Sequence, residues 1–312
     1  MNILITGGNG FIGSHLAEDL IKKGNTVSLI DLKFTKNTEH LTCKKIVGDI
    51  TDKKIVEKSF KGKDIVVHLA ALSRVELSQK DPHKCFSINV LGTLNAILAC
   101  LQNNSVFIYA SSREVYGEPV SLPIKESDFK NPISVYGVSK LAAELLCKTY
   151  ASASCLKYVI MRFSNVYGSQ RDLPERVIPK FMKAVLTGSP LTIYGGDQTL
   201  DFIFIDDAIK GISKIIENIS DNNTAIINND FNLMRGTSTK IYDLARTIVQ
   251  ITQSDSEIIV LKRRTFDVTN FVGDNSKASY LLGYDPKYSL HNGLKEYHRR
   301  IKSAHNRNNS GN

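Results

Sequence analysis

Tyr136 and Lys140 stand four residues apart in the run Tyr136-Gly137-Val138-Ser139-Lys140. On a helix that spacing puts a phenol and an ammonium on one face, pointing the same way. The ammonium favours the phenolate by opposite charge, which would lower the phenol's pKa and make Tyr136 a base for a substrate hydroxyl near neutral pH. Any helix can carry such a pair by chance, so its neighbours decide. A strand-like run, Val106-Phe107-Ile108-Tyr109, ends in Ala110-Ser111-Ser112. Doubly wound sheets bind ligands outside the carboxyl ends of their strands, and a hydroxyl at that edge completes a Ser/Tyr/Lys set.

A second constellation lies at the amino terminus. The strand Ile3-Leu4-Ile5 runs into Thr6-Gly7-Gly8-Asn9-Gly10-Phe11-Ile12-Gly13. Gly7 permits the tight turn, Gly10 lets backbone approach a pyrophosphate, and Gly13 allows close packing of helix on strand, with Phe11 and Ile12 opening the helix. Asp31 ends the next strand, where a carboxylate accepts hydrogen bonds from an adenosine ribose and repels a 2′-phosphate. NAD is therefore expected over NADP. Asp49 and Ile50 follow the third strand and are expected to flank the adenine; a helix cap is the alternative for Asp49.

These residues need a scaffold that alternates strands with helices. Apolar runs at Thr26-Val27-Ser28-Leu29-Ile30, Lys45-Ile46-Val47, Ile65-Val66-Val67 and Tyr158-Val159-Ile160-Met161 alternate with helical patterns such as His15 to Ile21, which stops at Gly24. The pattern predicts an α/β fold, a Rossmann-type doubly wound parallel sheet with a smaller discontinuous α/β substrate domain. Residues 1–167 would form the nucleotide-binding domain with a return segment at about 201–233. Residues 168–200 and 234–303, including helices at Ile241 to Ile248 and Lys277 to Leu282, would form the substrate domain. The polar stretch 304–312 is expected to be a disordered tail.

Composition agrees. The chain has 312 residues, 42% apolar and 23% charged, enough to bury a large core. The net charge of +9 comes from dispersed lysines, so it reads as solvated helix faces and a field for anionic substrates, not a nucleic-acid surface. Charge interrupts the apolar runs short of the ~18 to 20 residues that span a bilayer, so no membrane helix is expected. With a strand at its start in place of a secretory signal, the protein is expected in the cytoplasm. Five scattered cysteines without a CxxC spacing argue against disulfides and metal. His68 ends a buried strand and reads as a core or supporting histidine.

Taken together, these motifs resemble the extended short-chain dehydrogenase/reductases, specifically the nucleotide-sugar epimerases and dehydratases. The resemblance rests on TGGNGFIG from Thr6, HLAAL from His68, NVLGT from Asn89, SSREVYG from Ser111 and YGVSK from Tyr136. It continues through RFSNVYG from Arg162, VIPKF from Val177, LDFIFIDD from Leu200 and DNSKASYLLGY from Asp274. The resemblance implies that Tyr136 is the catalytic base, that Lys140 orients the nicotinamide ribose, and that Ser112 hydrogen-bonds the sugar hydroxyl. It implies that Leu69, Ala70 and Ala71 border the cofactor, that Asn165 and the backbone at Val177 contact substrate, and that Arg264 neutralises the diphosphate. The implied chemistry is oxidation at sugar C4 by tightly held NAD to a 4-keto intermediate, followed in an epimerase by hydride return to the opposite face.

Leu200 departs from the family, which usually has an arginine there for the diphosphate. Arg171, Arg176 or Arg263 would have to replace that charge. Ser73 stands where a lysine is frequent. Glu114 matches the dehydratases' base for the C5 proton, but Arg113 replaces the acid usually paired with it; a turn in which Glu114 merely bridges to Arg113 is the alternative. The favoured reading is an NAD-dependent 4-epimerase of the UDP-glucose/UDP-galactose type. A 4,6-dehydratase, a sugar-acid decarboxylase using Arg74 or Arg113, a 4-keto reductase and a non-catalytic Rossmann redox sensor are the alternatives. The apolar faces of the helices from Asn89 to Leu101 and Leu141 to Tyr150 are core in part, and the resemblance implies that they also form the contact of a homodimer.

Overall fold

The computed structural model describes residues 1–263 and 268–309. Its first half alternates strand and helix as β1 (Asn2–Thr6), α1 (Phe11–Lys22), β2 (Thr26–Asp31), β3 (Lys44–Val47), α2 (Lys53–Phe60) and β4 (Ile65–His68). There follow α3 (Val75–Lys80), α4 (Pro82–Phe86), α5 (Thr93–Asn103), β5 (Val106–Ser112), α6 (Val135–Ser154) and β6 (Tyr158–Phe163). The second half holds β7 (Asn165–Tyr167), α7 (Val177–Leu186), β8 (Leu191–Tyr194), β9 (Thr199–Phe204), α8 (Ile205–Ser220) and β10 (Asn229–Leu233). It ends with β11 (Ser238–Lys240), α9 (Ile241–Thr252), β12 (Ile258–Leu261), α10 (Ser276–Leu282) and α11 (Leu290–Asn309).

Seven parallel strands form the main sheet in the order β10-β6-β5-β4-β1-β2-β3. The near-continuous apolar runs of β1, β4 and β6 fit this arrangement, because a parallel sheet is covered on both faces. One apolar cluster, with Leu16, Leu20 and Ile212, packs α1 and α8 beneath it; another, with Val56, Ile97 and Cys147, packs α2, α5 and α6 above. Strand order reverses between β1 and β4, which opens a crevice at their carboxyl ends.

A smaller layer holds a three-stranded sheet, β11-β9-β7, and the parallel pair β12-β8. β7, within the stretch expected in the first domain, and β9, which starts just before that domain's expected return segment, pair with each other through Asn165 opposite Phe202 and not with the main sheet. Asp201, fully buried on β9, accepts hydrogen bonds from Ser164 Oγ at 2.9 Å, Arg235 N at 3.1 Å and Gly236 N at 2.8 Å. α11 anchors through buried Leu294, Tyr297 and Ile301, and helical backbone runs on to Asn309, into the stretch expected as a disordered tail. Once a packed turn exists, each further residue adds a hydrogen bond at little cost.

A π-helical turn at Ser87–Gly92 joins α4 to α5. The resulting helix Pro82–Asn103 is, by length and composition, apolar enough to cross a membrane, where the sequence reading expected none. Its inner face, including Ala96, Ile97 and Cys100, is packed against the sheet.

Candidate active site

A cleft of about 950 Å³ runs from the carboxyl ends of β1 and β2 to the start of α6 and α7. At its first end lies the glycine turn. Gly7 has φ of +64°, and a Cβ there would lie 2.9 Å from the amide nitrogen of Ala70. A Cβ on Gly13 would lie 2.3 Å from the carbonyl oxygen of Gly7, so any side chain would push α1 off β1. α1 begins after Gly10 without a side-chain cap, leaving its first amides toward the cleft that Gly10, Phe11 and Ile12 line. Asp31 accepts hydrogen bonds from the amides of Asn9 (2.9 Å) and Leu32 (2.8 Å) at the cleft wall. Burial pushes its carboxyl up, and those amides oppose the shift. This is a cradle that side chains would fill, with an acid where a ribose would lie, and it fits NAD.

Asp49, Ile50, Leu69, Ala70 and Ala71 also line the cleft. The cap alternative for Asp49 fails, because Asp52 caps α2 by accepting from the amides of Lys54 and Ile55, while Asp49 takes the amide of Thr51 at 2.9 Å. His68 is the expected core histidine. Its ring bridges Thr6 Oγ1 (2.9 Å) and Thr93 Oγ1 (3.1 Å), and burial lowers its pKa to about 3, which keeps it neutral. The Thr6 hydroxyl in turn accepts from the amide of Ala70. Asn89, signalled by its NVLGT motif, exchanges hydrogen bonds with the backbone of Leu72 and donates to Ser139 Oγ at 2.9 Å, tying the β4 loop to α6.

At the far end Ser134 caps α6 by accepting from Gly137 N at 3.1 Å, and the helix brings Tyr136 and Lys140 into the cleft. A Cβ on Gly137 would lie 2.5 Å from the carbonyl of Glu114, so α6 starts hard against the turn that follows Ser112. Ser112 caps that turn, accepting from Glu114 N at 3.2 Å, and its side chain favours the ionised form of Tyr136. One expectation needs correction. The lowering expected from Lys140 does not prevail over burial: its ammonium donates to the carbonyl of Ala110 at 2.7 Å and lies over the rings of Tyr109 and Tyr136, 4.9 and 5.9 Å from their centroids. Burial pushes Tyr136 up to about 12, opposed chiefly by the charge of Arg176 and assisted by that of Glu114. Burial likewise lowers Lys140 to about 8.

Glu114 lies inside the cleft wall, not in a surface turn, 2.8 Å from Arg113 Nη2. Arg113 stacks over Phe271 at 5.3 Å, and its Nη1 is buried with no partner among the described residues. It is therefore no ordinary surface arginine. Asn165 lines the cleft and donates to the backbone oxygen of Asp201 at 3.0 Å, and Val177 lines it at the start of α7. Leu200 contributes an apolar side chain to the same wall. Of the arginines proposed to replace its charge, Arg171 is held by Glu18 at 2.5 Å, while Arg176 faces the cleft between Asp172 (3.3 Å) and Ser73 Oγ (3.5 Å). Arg263 donates to Thr269. Arg264 lies outside the described residues. Sequence reasoning missed Asp172, whose buried carboxyl lines the cleft and rises to about 6 by desolvation; its signal was an Asp four residues before an Arg at a helix start.

A family model described as the NAD dependent epimerase/dehydratase family matches residues 3–233. A putative UDP-glucose 4-epimerase of Methanocaldococcus jannaschii is 35% identical, over 94% of this chain and 96% of that protein. A UDP-N-acetyl-alpha-D-glucosaminuronate decarboxylase of Bacillus cytotoxicus is 34% identical, over 94% of this chain and 95% of that protein. The crystal structure of UDP-glucuronic acid 4-epimerase from Bacillus cereus, in complex with UDP-glucuronic acid and NAD, superposes with a TM-score of 0.91. That structure shares 33% identity and covers 97% of this chain and all of its own, 100%.

Proposed function

The chain belongs to the NAD-dependent epimerase/dehydratase family of nucleotide-sugar enzymes, and from that premise we propose that it inverts C4 of a UDP-hexose, UDP-glucose and UDP-galactose first, through a transient 4-keto sugar. The observation that carries this reading is the joining of the glycine cradle and the Ser112, Tyr136 and Lys140 set along one cleft. Bound NAD supplies the acceptor, and then the donor, of the C4 hydride. As the phenolate, a form that burial disfavours and the cationic ring of bound NAD would favour, Tyr136 takes the proton of the C4 hydroxyl and gives it back; Ser112 holds that hydroxyl toward the phenol; Lys140 fixes the end of β5 through Ala110.

Epimerisation is favoured over loss of water because Arg113, a permanent cation, occupies the place beside Glu114 where an acid would have to protonate a departing hydroxyl. One observation supports a dehydratase or decarboxylase as the second reading: Glu114 is buried in the cleft wall next to Tyr136, where a carboxylate base would stand. Incubating the purified protein with a panel of nucleotide sugars, without added cofactor, and analysing products by mass and NMR separates the readings. Inverted C4 at unchanged mass supports the proposal; loss of water or carbon dioxide overturns it in favour of the second.

We further propose a homodimer through the helix Pro82–Asn103 and α6, where Leu91 and Leu145 are each 56% exposed and Val138 is 42% exposed. Sedimentation of the wild type against Leu145→Glu tests it, and a wild-type monomer rejects it.

A further inference from the structure

Tyr136, Lys140 and Glu144 recur every four residues on α6 and so lie on one face of the helix. The first two reach the cleft; Glu144 is 1% exposed and does not. Its Oε1 accepts from Ser111 Oγ at 2.5 Å and from Arg162 Nε at 2.8 Å, and its Oε2 accepts from Arg162 Nη2 at 2.8 Å. Arg162, fully buried on β6, also reaches Asp230 on β10 at 2.6 Å and the hydroxyl of Tyr116 at 2.8 Å. Tyr116 follows the turn that carries Glu114 and donates to Asn232 at 2.8 Å. A forked guanidinium on a carboxylate is the strongest geometry such a pair can take. Burying it is costly, and uncharged packing would serve stability as well. Its place suggests another use: the cluster joins α6, β5, β6 and β10 directly behind the reacting groups.

We propose that Glu144, clamped by Arg162, is a positioning residue for the reaction: through Ser111 it sets the backbone that presents Ser112, and through its charge one helical turn below Lys140 it holds that lysine as an ammonium. Ser111 and Ser112 are adjacent on β5, so a shift at one moves the other. The groups facing Lys140 are Glu144 and Tyr136 on its own helix, Tyr109 on β5, Cys85 on α4 and His68 on β4. His68 is kept neutral by burial, and the desolvation of Lys140 is opposed first by Cys85 and then by Glu144, the carboxylate among these groups.

The inference rests on the reading that Tyr136 and Lys140 serve the oxidation of a sugar by NAD, and wild-type turnover is the control for that reading alone. Two variants test the inference. Glu144→Gln keeps the shape and removes the charge; Ser111→Ala removes one link and leaves the ion pair. Both are expected to lower kcat about 10- to 100-fold, the scale on which small misplacements act, with KM little changed. Glu144→Gln alone should move the Lys140 transition in the kcat profile to lower pH. A titration of the labelled lysine side-chain carbons should show the same downward shift even without turnover. An unmoved Lys140 titration in a folded Glu144→Gln protein overturns the electrostatic half, and wild-type kcat in Ser111→Ala overturns the positioning half. If Glu144→Gln does not fold, Ser111→Ala decides the positioning half, and an unmoved Lys140 titration in Glu144→Asp, which draws the charge back by one methylene, overturns the electrostatic half.

Discussion

Lys140 reaches the carbonyl of Ala110 at 2.7 Å, and by that bond the catalytic helix is fastened to the strand that ends in Ser112. The ammonium therefore serves the geometry of both hydroxyl groups at once. Replacing Lys140 with Met should cut kcat by roughly 100-fold or more and weaken NAD retention, whereas Tyr136→Phe should cost roughly 100- to 10,000-fold in kcat and leave NAD bound. Cofactor content of the purified proteins, read beside their turnover, distinguishes the two. A Tyr136→Phe protein with full activity would refute the assigned base.

The charge of Glu114 raises the pKa of Tyr136. Removing it with Glu114→Gln should move the Tyr136 transition in the kcat profile to lower pH. Epimerisation should persist within about tenfold, because a neighbouring base is not required for it. A collapse of turnover would instead identify Glu114 as the base of the second reading.

Arg176 is the cation that most strongly opposes the rise of Tyr136, and it faces the cleft where an anionic substrate would lie. Arg176→Met is expected to raise KM about tenfold and to move the Tyr136 transition to higher pH. A variant with unchanged KM and pH profile would remove Arg176 from the site.

Asp172 carries a folded-state pKa of about 6, above its ordinary 3.8. Between those values the folded protein binds the proton more tightly than the unfolded chain, so stability falls as pH rises from about 4 to 6. Asp172→Asn should abolish that fall and leave the protein about 2 to 3 kcal/mol more stable than wild type at pH 7. Thermal unfolding at pH 4 and pH 7 measures it; equal pH dependence in both proteins contradicts the assignment.

Gly13→Ala places a methyl against the Gly7 carbonyl. The expected result is about 1 to 3 kcal/mol of destabilisation and loss of bound NAD. A variant that keeps its cofactor would show that the helix can retreat.

What could be read from sequence was local or periodic. The glycines, Asp31 and the Tyr136/Lys140 pair each depend on spacing within one element or one turn, and all of them line the cleft. Interactions set by distant parts of the chain were hidden. Nothing near Lys140 in sequence announces Ala110, 30 residues away, as its partner. The burial of Asp172 depends on how the loop before α7 folds back, and the pairing of β7 with β9 joins segments of three and six residues, too short for a periodicity to reveal. The electrostatic error followed from the same blindness. Spacing indicates that Lys140 and Tyr136 are neighbours, but desolvation belongs to the whole surrounding wall and outweighs the pair.

Asp201 gathers Ser164, Arg235 and Gly236, which mark two points at which the chain passes between the large sheet and the smaller layer. The two halves are consequently not modules. A chimera that borrowed its sugar-binding half from a relative would split a single hydrogen-bonded knot at the apparent border. Exchange of specificity within this scaffold has to proceed loop by loop, around a carboxylate that stays in place.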